Sequence, residues 1–331
     1  MSADAARRVL TLDQVASWQG PPLIVFVGVS TGGSLAHTVF DRWARLLGQP
    51  WTLRGVDLPL DAPPWTYQRL LAAMRDNPAV HGAIVTAHKL RLYRGCAPDL
   101  ARRDLLVDLT HEVNTLASDT DVAAYARDAL SLTQVVPALV RRSAAGTLSD
   151  LHILCLGAGG AATALLLALH LDLDATNAVT PRPDRPASVV FADRNPRALD
   201  DLRQVAARAG LDPTQVSFAQ VHGPDDCDRL LAELPSPALV VNATGLGKDA
   251  PGSPVSDGAP LGPATLAWDL NYRGTLTFLR QAADHGARTV DGWDYFVAGW
   301  AGGLTAIART PFSSGLLTRF KQAAAPLRPR P

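Results

Sequence analysis

The chain has 331 residues, 47% hydrophobic and 19% charged, a balance that excludes disorder and allows a sizeable core in two domains or one large one. Lys plus Arg and Asp plus Glu both number 31, so the zero formal charge gives no global electrostatic reason to bind nucleic acid or an acidic membrane. Three dispersed cysteines, Cys96, Cys155 and Cys227, make neither a disulfide framework nor a Cys-rich zinc site.

The first residues carry no continuous apolar run of the kind a secretory signal needs. The longest apolar stretch, 153–169, is interrupted by glycines and falls short of the ~20 residues of a spanning helix. These features predict a cytoplasmic, metal-free protein, monomeric or homodimeric, whose partner is a small molecule rather than nucleic acid or membrane.

Short apolar runs alternate with helix-like stretches, the pattern of a parallel α/β fold. Residues 23–27 read as a buried strand, followed by a Gly-rich turn and an amphipathic segment over about 35–47. A second strand is predicted at 52–56, a helix at 65–75 and a third strand at 83–85. Residues 121–141 read as helices with a break at Pro137.

The run 151–156 opens a second unit, with a glycine turn and a long Ala/Leu helix ending near Leu171. The Pro-rich, polar stretch 172–187 reads as an exposed loop. Strands follow at 189–192, 216–219, 239–243, 266–270 and just before Asp291, with a helix at 196–209. Residues 296–308 and 311–324 read as the last helices.

The strongest local signal is Gly157-Ala158-Gly159-Gly160-Ala161-Ala162, placed between a strand and a helix. Gly157 permits a tight turn, Gly159 lets backbone approach a pyrophosphate, and the helix N-terminus offers free N–H groups to it. After the next strand stand Asp193 and Arg194: a carboxylate suits the ribose hydroxyls of NAD, an arginine the 2′-phosphate of NADP. Both are present, so the cofactor is NADP or NAD. Asn242-Ala243-Thr244-Gly245-Leu246-Gly247 closes another strand at the end where such sheets bind ligands.

In the first half, Thr86-Ala87-His88-Lys89 closes a strand, and Asp121 lies further along. Only Lys89, Lys248 and Lys321 are lysine in a chain otherwise using arginine, so a retained lysine suggests a need for its compact, titratable amine. A lysine beside a carboxylate moves a proton to or from a hydroxyl during hydride transfer, although spacing alone does not bring these two together. His88 has no second ligand at metal-binding spacing and reads as structural.

Taken in order, these segments resemble the shikimate/quinate dehydrogenase family. Its first-strand loop is similar to the stretch from Gly28 to His37, and its N-V-T-x-P-H-K to Ile84-Val85-Thr86-Ala87-His88-Lys89. V-N-T is matched by Val113-Asn114-Thr115, N-T-D-G by Asp119-Thr120-Asp121-Val122, and G-A-G-G-A-A by Gly157 to Ala162. N-A-T-P-L-G resembles Asn242 to Gly247, D-L-x-Y resembles Asp269-Leu270-Asn271-Tyr272, and the D-G segment begins at Asp291-Gly292.

The resemblance implies Lys89 and Asp121 as a catalytic pair, with Ser34, Thr86, Asn114 and Tyr272 lining the substrate site. Gly157, Ala158, Gly159, Gly160, Ala161, Asp193, Arg194, Asn242, Thr244 and Gly292 would hold the cofactor. The implied architecture is an N-terminal α/β substrate domain, residues 1–125 completed by a helix near 310–326, and a C-terminal Rossmann NAD(P)-binding domain over 126–309. The implied reaction is reversible hydride transfer between nicotinamide and a secondary alcohol or ketone of a small cyclic hydroxy acid.

Ala36, Ile84 and Gly299 depart from the family pattern by removing hydroxyl and amide groups, and His37 stands in place of its proline. Trp293 and Trp300 are candidates to fill the space at Gly299. The rival reading is a non-enzymatic NAD(P)- or metabolite-binding protein of the same fold. Ala36, Ile84 and Gly299 favour it, and the retained Lys89 with Asp121 opposes it.

Overall fold

The computed structural model describes residues 8–100, 102–118, 121–173, 179–248 and 250–329. The chain divides into two units, one of Met1–Asp128 with Val297–Arg328, the other running chiefly through Ala129–Asp174 and Ala178–Phe296.

The first unit is built on a six-stranded sheet of β1 (Leu23–Gly28), β2 (Thr52–Asp57), β3 (Val80–Val85), β4 (Arg102–Arg103), β5 (Thr115–Ser118) and β6 (Val122–Tyr125), in the order β2-β1-β3-β5-β6-β4. The wholly buried β1 pairs in parallel with β2 and β3, whereas β5 runs antiparallel to both β3 and β6. Its helices are α1 (Leu12–Ala16), α2 (Ala36–Leu46), α3 (Pro64–Asp76), α4 (Lys89–Cys96) and α5 (Leu105–Thr110), with α6 (Asp128–Thr133) beginning at its boundary.

Local chemistry explains the starts of these helices. Thr11 and Gln14 form a capping box on α1, Asp104 accepts from the Val107 amide to cap α5, and a proline opens α3. No side chain caps α2, which instead buries Val39, Phe40, Trp43 and Ala44 along one face.

The second unit adds α7 (Val136–Arg142) and a parallel sheet of β7 (His152–Leu156), β10 (Ser188–Asp193), β11 (Val216–Gln220), β12 (Ala238–Asn242), β13 (Thr265–Asp269) and β14 (Arg288–Val290). Its order, β11-β10-β7-β12-β13-β14, is that of a doubly wound Rossmann sheet reversing at β7, with β8 (Leu171–Leu173) and β9 (Val179–Pro181) pairing separately. The helices are α8 (Gly160–His170), α9 (Pro196–Arg208), α10 (Pro224–Glu233) and α11 (Thr277–Asp284); then come α12 (Trp293–Ile307) and α13 (Ser314–Ala324).

Within the first unit, α12 and α13 complete the core around Trp43. The Trp43 ring stacks on Phe320 at 5.7 Å and on Trp300 at 5.9 Å, and its indole N–H donates to the Phe320 carbonyl at 3.1 Å. Ile84 reaches so close to α12 that a Cβ on Gly303 would lie 2.4 Å from its Cδ1.

Two sequence expectations are corrected here. Residues 121–141 are not all helical, because Val122–Tyr125 forms β6, and Pro137 lies in the first turn of α7, where its missing N–H costs nothing. The stretch 172–187 is not loop throughout: β8 and β9 pair antiparallel, and the intervening residues 174–178 lie outside the described ones. Among the described residues, no helix is long and apolar enough to cross a membrane.

Candidate active site

The centre of the first unit's site is Lys89, the first residue of α4. His88 before it is fully buried and bonds Tyr67 Oη through Nδ1 at 2.9 Å; burial lowers its pKa, so the ring serves packing. Lys89 points its amine at Asp128, and Nζ bonds Asp128 Oδ2 directly, with the two side chains 17% and 16% exposed. Such a pair is shielded enough to hold its geometry and open enough for a ligand to reach it.

Asn114 fixes the other carboxylate oxygen. Its amide nitrogen donates to Asp128 Oδ1 at 2.6 Å, and its oxygen accepts from the Arg127 amide at 2.9 Å and the Thr115 hydroxyl at 3.1 Å. The backbone donor settles which end of the amide faces Asp128. Asn114 also ties the sheet to the site, because its carbonyl accepts from Val85 at the end of β3.

Asp121 is not the partner of Lys89. It stands before β6 while Asp128 follows that strand, so the two lie at its opposite ends. Asp121 instead bonds the Val122 amide at 2.7 Å and lies 3.8 Å from Arg75. The N-T-D-G match at 119–122 therefore falls on the wrong aspartate, and residues 119 and 120 are outside the described ones. At 126–129 the chain reads Ala-Arg-Asp-Ala, where only the acid survives from that pattern.

Ser34 is buried in a turn, its Oγ accepting from the Ala36 amide at 3.2 Å, and Thr86 is exposed just past β3. A Cβ placed on Gly299 would lie 3.8 Å from Asp128 Oδ1, an ordinary contact distance. Trp300 lies in the Trp43 stack, and Trp293 packs with Phe296 and Tyr272 in the second unit, where Tyr272 belongs.

In the second unit, Gly157 has φ +112° and a Cβ there would lie 2.7 Å from the Ala243 carbonyl carbon. Gly159, the N-cap of α8, has nothing within 4 Å, and no side chain caps the first turn of Gly160 and Ala161. The open backbone and uncapped helix start fit a pyrophosphate. Asp193 closes β10 and accepts from the Ala158 amide at 2.7 Å and the Asn195 amide at 2.8 Å, while Arg194 and Arg197 are exposed beside it.

Asn242 is fully buried and shapes its loop rather than presenting a free amide. It donates to Asp269 Oδ2 at 2.9 Å and accepts from the Thr244 hydroxyl at 2.7 Å, leaving Thr244 exposed. Burial pushes the Asp269 carboxyl up to about 6 against the bonds from Asn271 and Asn242. Gly292 is required by close packing, since a Cβ would lie 2.0 Å from the Leu270 carbonyl oxygen, and its amide donates to the Asn271 carbonyl at 2.9 Å.

No protein-family model matches the chain. The shikimate dehydrogenase (NADP(+)) of Nitrosospira multiformis is 26% identical over 276 residues, 82% of this chain and 86% of that protein. The chain is thus similar along most of its length to shikimate and quinate dehydrogenases. A solved shikimate dehydrogenase in complex with NADP+ superposes with a TM-score of 0.68 at 18% identity, covering 94% of this chain and 96% of the other. Quinate dehydrogenase from Corynebacterium glutamicum, in complex with NAD, gives 0.64 at 17%, covering 91% and 99%. These solved structures share the two-domain Rossmann-type fold with this chain.

Proposed function

We propose that this chain is a divergent member of the shikimate/quinate dehydrogenase family, an NAD(P)-dependent dehydrogenase that interconverts a secondary alcohol and a ketone on a small cyclic hydroxy acid. The observation that carries the reading is the Lys89–Asp128 pair, locked from its far side by Asn114. In this reading the first unit holds the substrate and the second the cofactor, and the protein works in the cytoplasm as a monomer or homodimer.

When bound, the nicotinamide accepts or supplies the hydride. In the reducing direction the Lys89 ammonium donates a proton to the carbonyl oxygen as it becomes a hydroxyl. In the oxidising direction the amine takes that proton back. Asp128 orients the amine and balances its charge, and Asn114 holds Asp128. Ser34 Oγ already accepts from the Ala36 amide, which leaves its O–H to donate to a substrate carboxylate, and the exposed Thr86, whose O–H donates to the Val27 carbonyl at 3.2 Å, offers its oxygen as an acceptor.

The departures at Ala36, Ile84 and Gly299 bear on selectivity. Ile84 is committed to the packing with Gly303, and Gly299 leaves room beside Asp128. A larger or less hydroxylated substrate than shikimate suits such a site. The test is a nicotinamide absorbance assay with NAD and NADP against shikimate, quinate and amino-substituted analogues. Turnover supports the reading, whereas cofactor binding without turnover of any alcohol favours the non-enzymatic alternative.

Asp193 and Arg194 oppose each other in cofactor choice. Replacing Asp193 with Asn removes the carboxylate that repels a 2′-phosphate, so the ratio of Kd for NADP to Kd for NAD is expected to fall about tenfold, ~1.4 kcal/mol. Arg194→Ala should move the ratio the other way. Binding titrations of both cofactors check the pair, and unchanged ratios in both variants would remove these residues from the selectivity argument.

A further inference from the structure

Beside the Lys89–Asp128 pair lies an acid with no place in the mechanism above. Glu112 occupies the segment between α5 and β5 that runs along the first turn of α4: the next residue, Val113, donates its amide to the Lys89 carbonyl at 3.2 Å. Two residues on, Asn114 makes the bond to Asp128. The Glu112 backbone is pinned by its amide's bond to the Thr110 hydroxyl at 3.1 Å, and its side chain is half-buried.

We propose that Glu112 is a positioning residue of the reaction, a second carboxylate that acts through space on Lys89 and sets how firmly the amine holds its proton. This rests on the functional reading above. With Glu112 ionised, a second negative charge near the Lys89–Asp128 pair favours the ammonium and Lys89 resists giving up its proton; with Glu112 protonated, the Asp128 charge alone favours it. No covalent or redox step is added, since only the position of the proton equilibrium on the Lys89 nitrogen changes.

The electrostatics agree with the geometry. Burial pushes the Glu112 carboxyl up to about 7, the Lys89 charge opposes that shift and the Asp128 charge adds to it. Lys89 on α4 and Asp128 at the start of α6 are the charged groups that act on it. Its ionisation therefore falls in the neutral range, where a small pH change alters the charge around Lys89.

The chain's three lysines allow a test that needs no substrate. Reductive methylation with 13C-formaldehyde labels Lys89, Lys248, Lys321 and any free α-amine, and Lys89→Arg identifies the Lys89 signal. In the native protein that signal is expected to shift near neutral pH as Glu112 titrates, and again as the amine itself loses its proton. Glu112→Gln should abolish the first step and lower the second by about half to one pH unit, a three- to tenfold change in proton affinity; Glu112→Asp should restore the first step in part.

An identical Lys89 titration in native protein and Glu112→Gln overturns the proposal. With an active substrate in hand, the alcohol-oxidising kcat profile of Glu112→Gln should move to lower pH by the same amount, and an unmoved profile also counts against it. If no cyclic hydroxy acid turns over yet the lysine signals respond as described, the functional reading fails while the coupling of Glu112 to Lys89 stands.

Discussion

Asp128→Asn is expected to lower kcat by about 10^2- to 10^4-fold, the usual worth of a positioned proton-transfer group, and Lys89→Ala by at least as much. Asp121→Asn should leave kcat within about twofold. The contrast follows from geometry: Asp128 receives both the Lys89 amine and the Asn114 amide, whereas Asp121 faces Arg75 and its own backbone. The asparagine at 128 keeps the shape but gives up the charge that holds the ammonium, so cofactor Kd should be unchanged. Steady-state kinetics of the three variants, with cofactor titration beside them, decide the matter. A collapse in Asp121→Asn with normal Asp128→Asn would return the role to Asp121.

The second large effect separates two glycines of one loop. Gly157→Ala forces a side chain into a left-handed backbone and to within 2.7 Å of the Ala243 carbonyl carbon. The expected cost is about 2–4 kcal/mol, lowering Tm by roughly 5–15 °C. Gly159→Asp meets open space at φ −82°, and aspartate is a good N-cap for α8, so Tm should hold or rise slightly. Its carboxylate would nevertheless stand where a pyrophosphate approaches, and the Kd for either cofactor should weaken at least about 100-fold, ~2.7 kcal/mol. Thermal unfolding and cofactor titration of both variants check the split. Undiminished binding in Gly159→Asp would mean that the loop does not carry the phosphates.

Much of the fold was legible because the signals are local. The apolar runs of β1, β7 and β12 are buried along their length and read as strands on composition alone, and the glycine turn into α8 announces itself between a strand and a helix. The short antiparallel strands β5 and β6 were not legible. At four residues each, they owe their form to partners across the sheet rather than to periodicity. Asp128 was missed for a related reason. Motif spelling favoured 119–122, but position in the fold, just past β6 and against Asn114, is what the chemistry requires. Glu112 had no sequence signal, since an isolated acid acquires meaning only from what folds against it.

The bond from Trp43 to Phe320 joins residues 277 positions apart. A ribosome working at roughly 5–20 residues per second needs roughly 15–60 s to make the intervening chain, longer than most domain folding steps. During that interval the second unit's sheet is complete, yet the aromatic face of α2 still lacks the two rings that will cover it. The first unit, although started earliest, is therefore the last to be finished during synthesis, and until α12 and α13 arrive its Trp43 face presents apolar surface that a chaperone can bind.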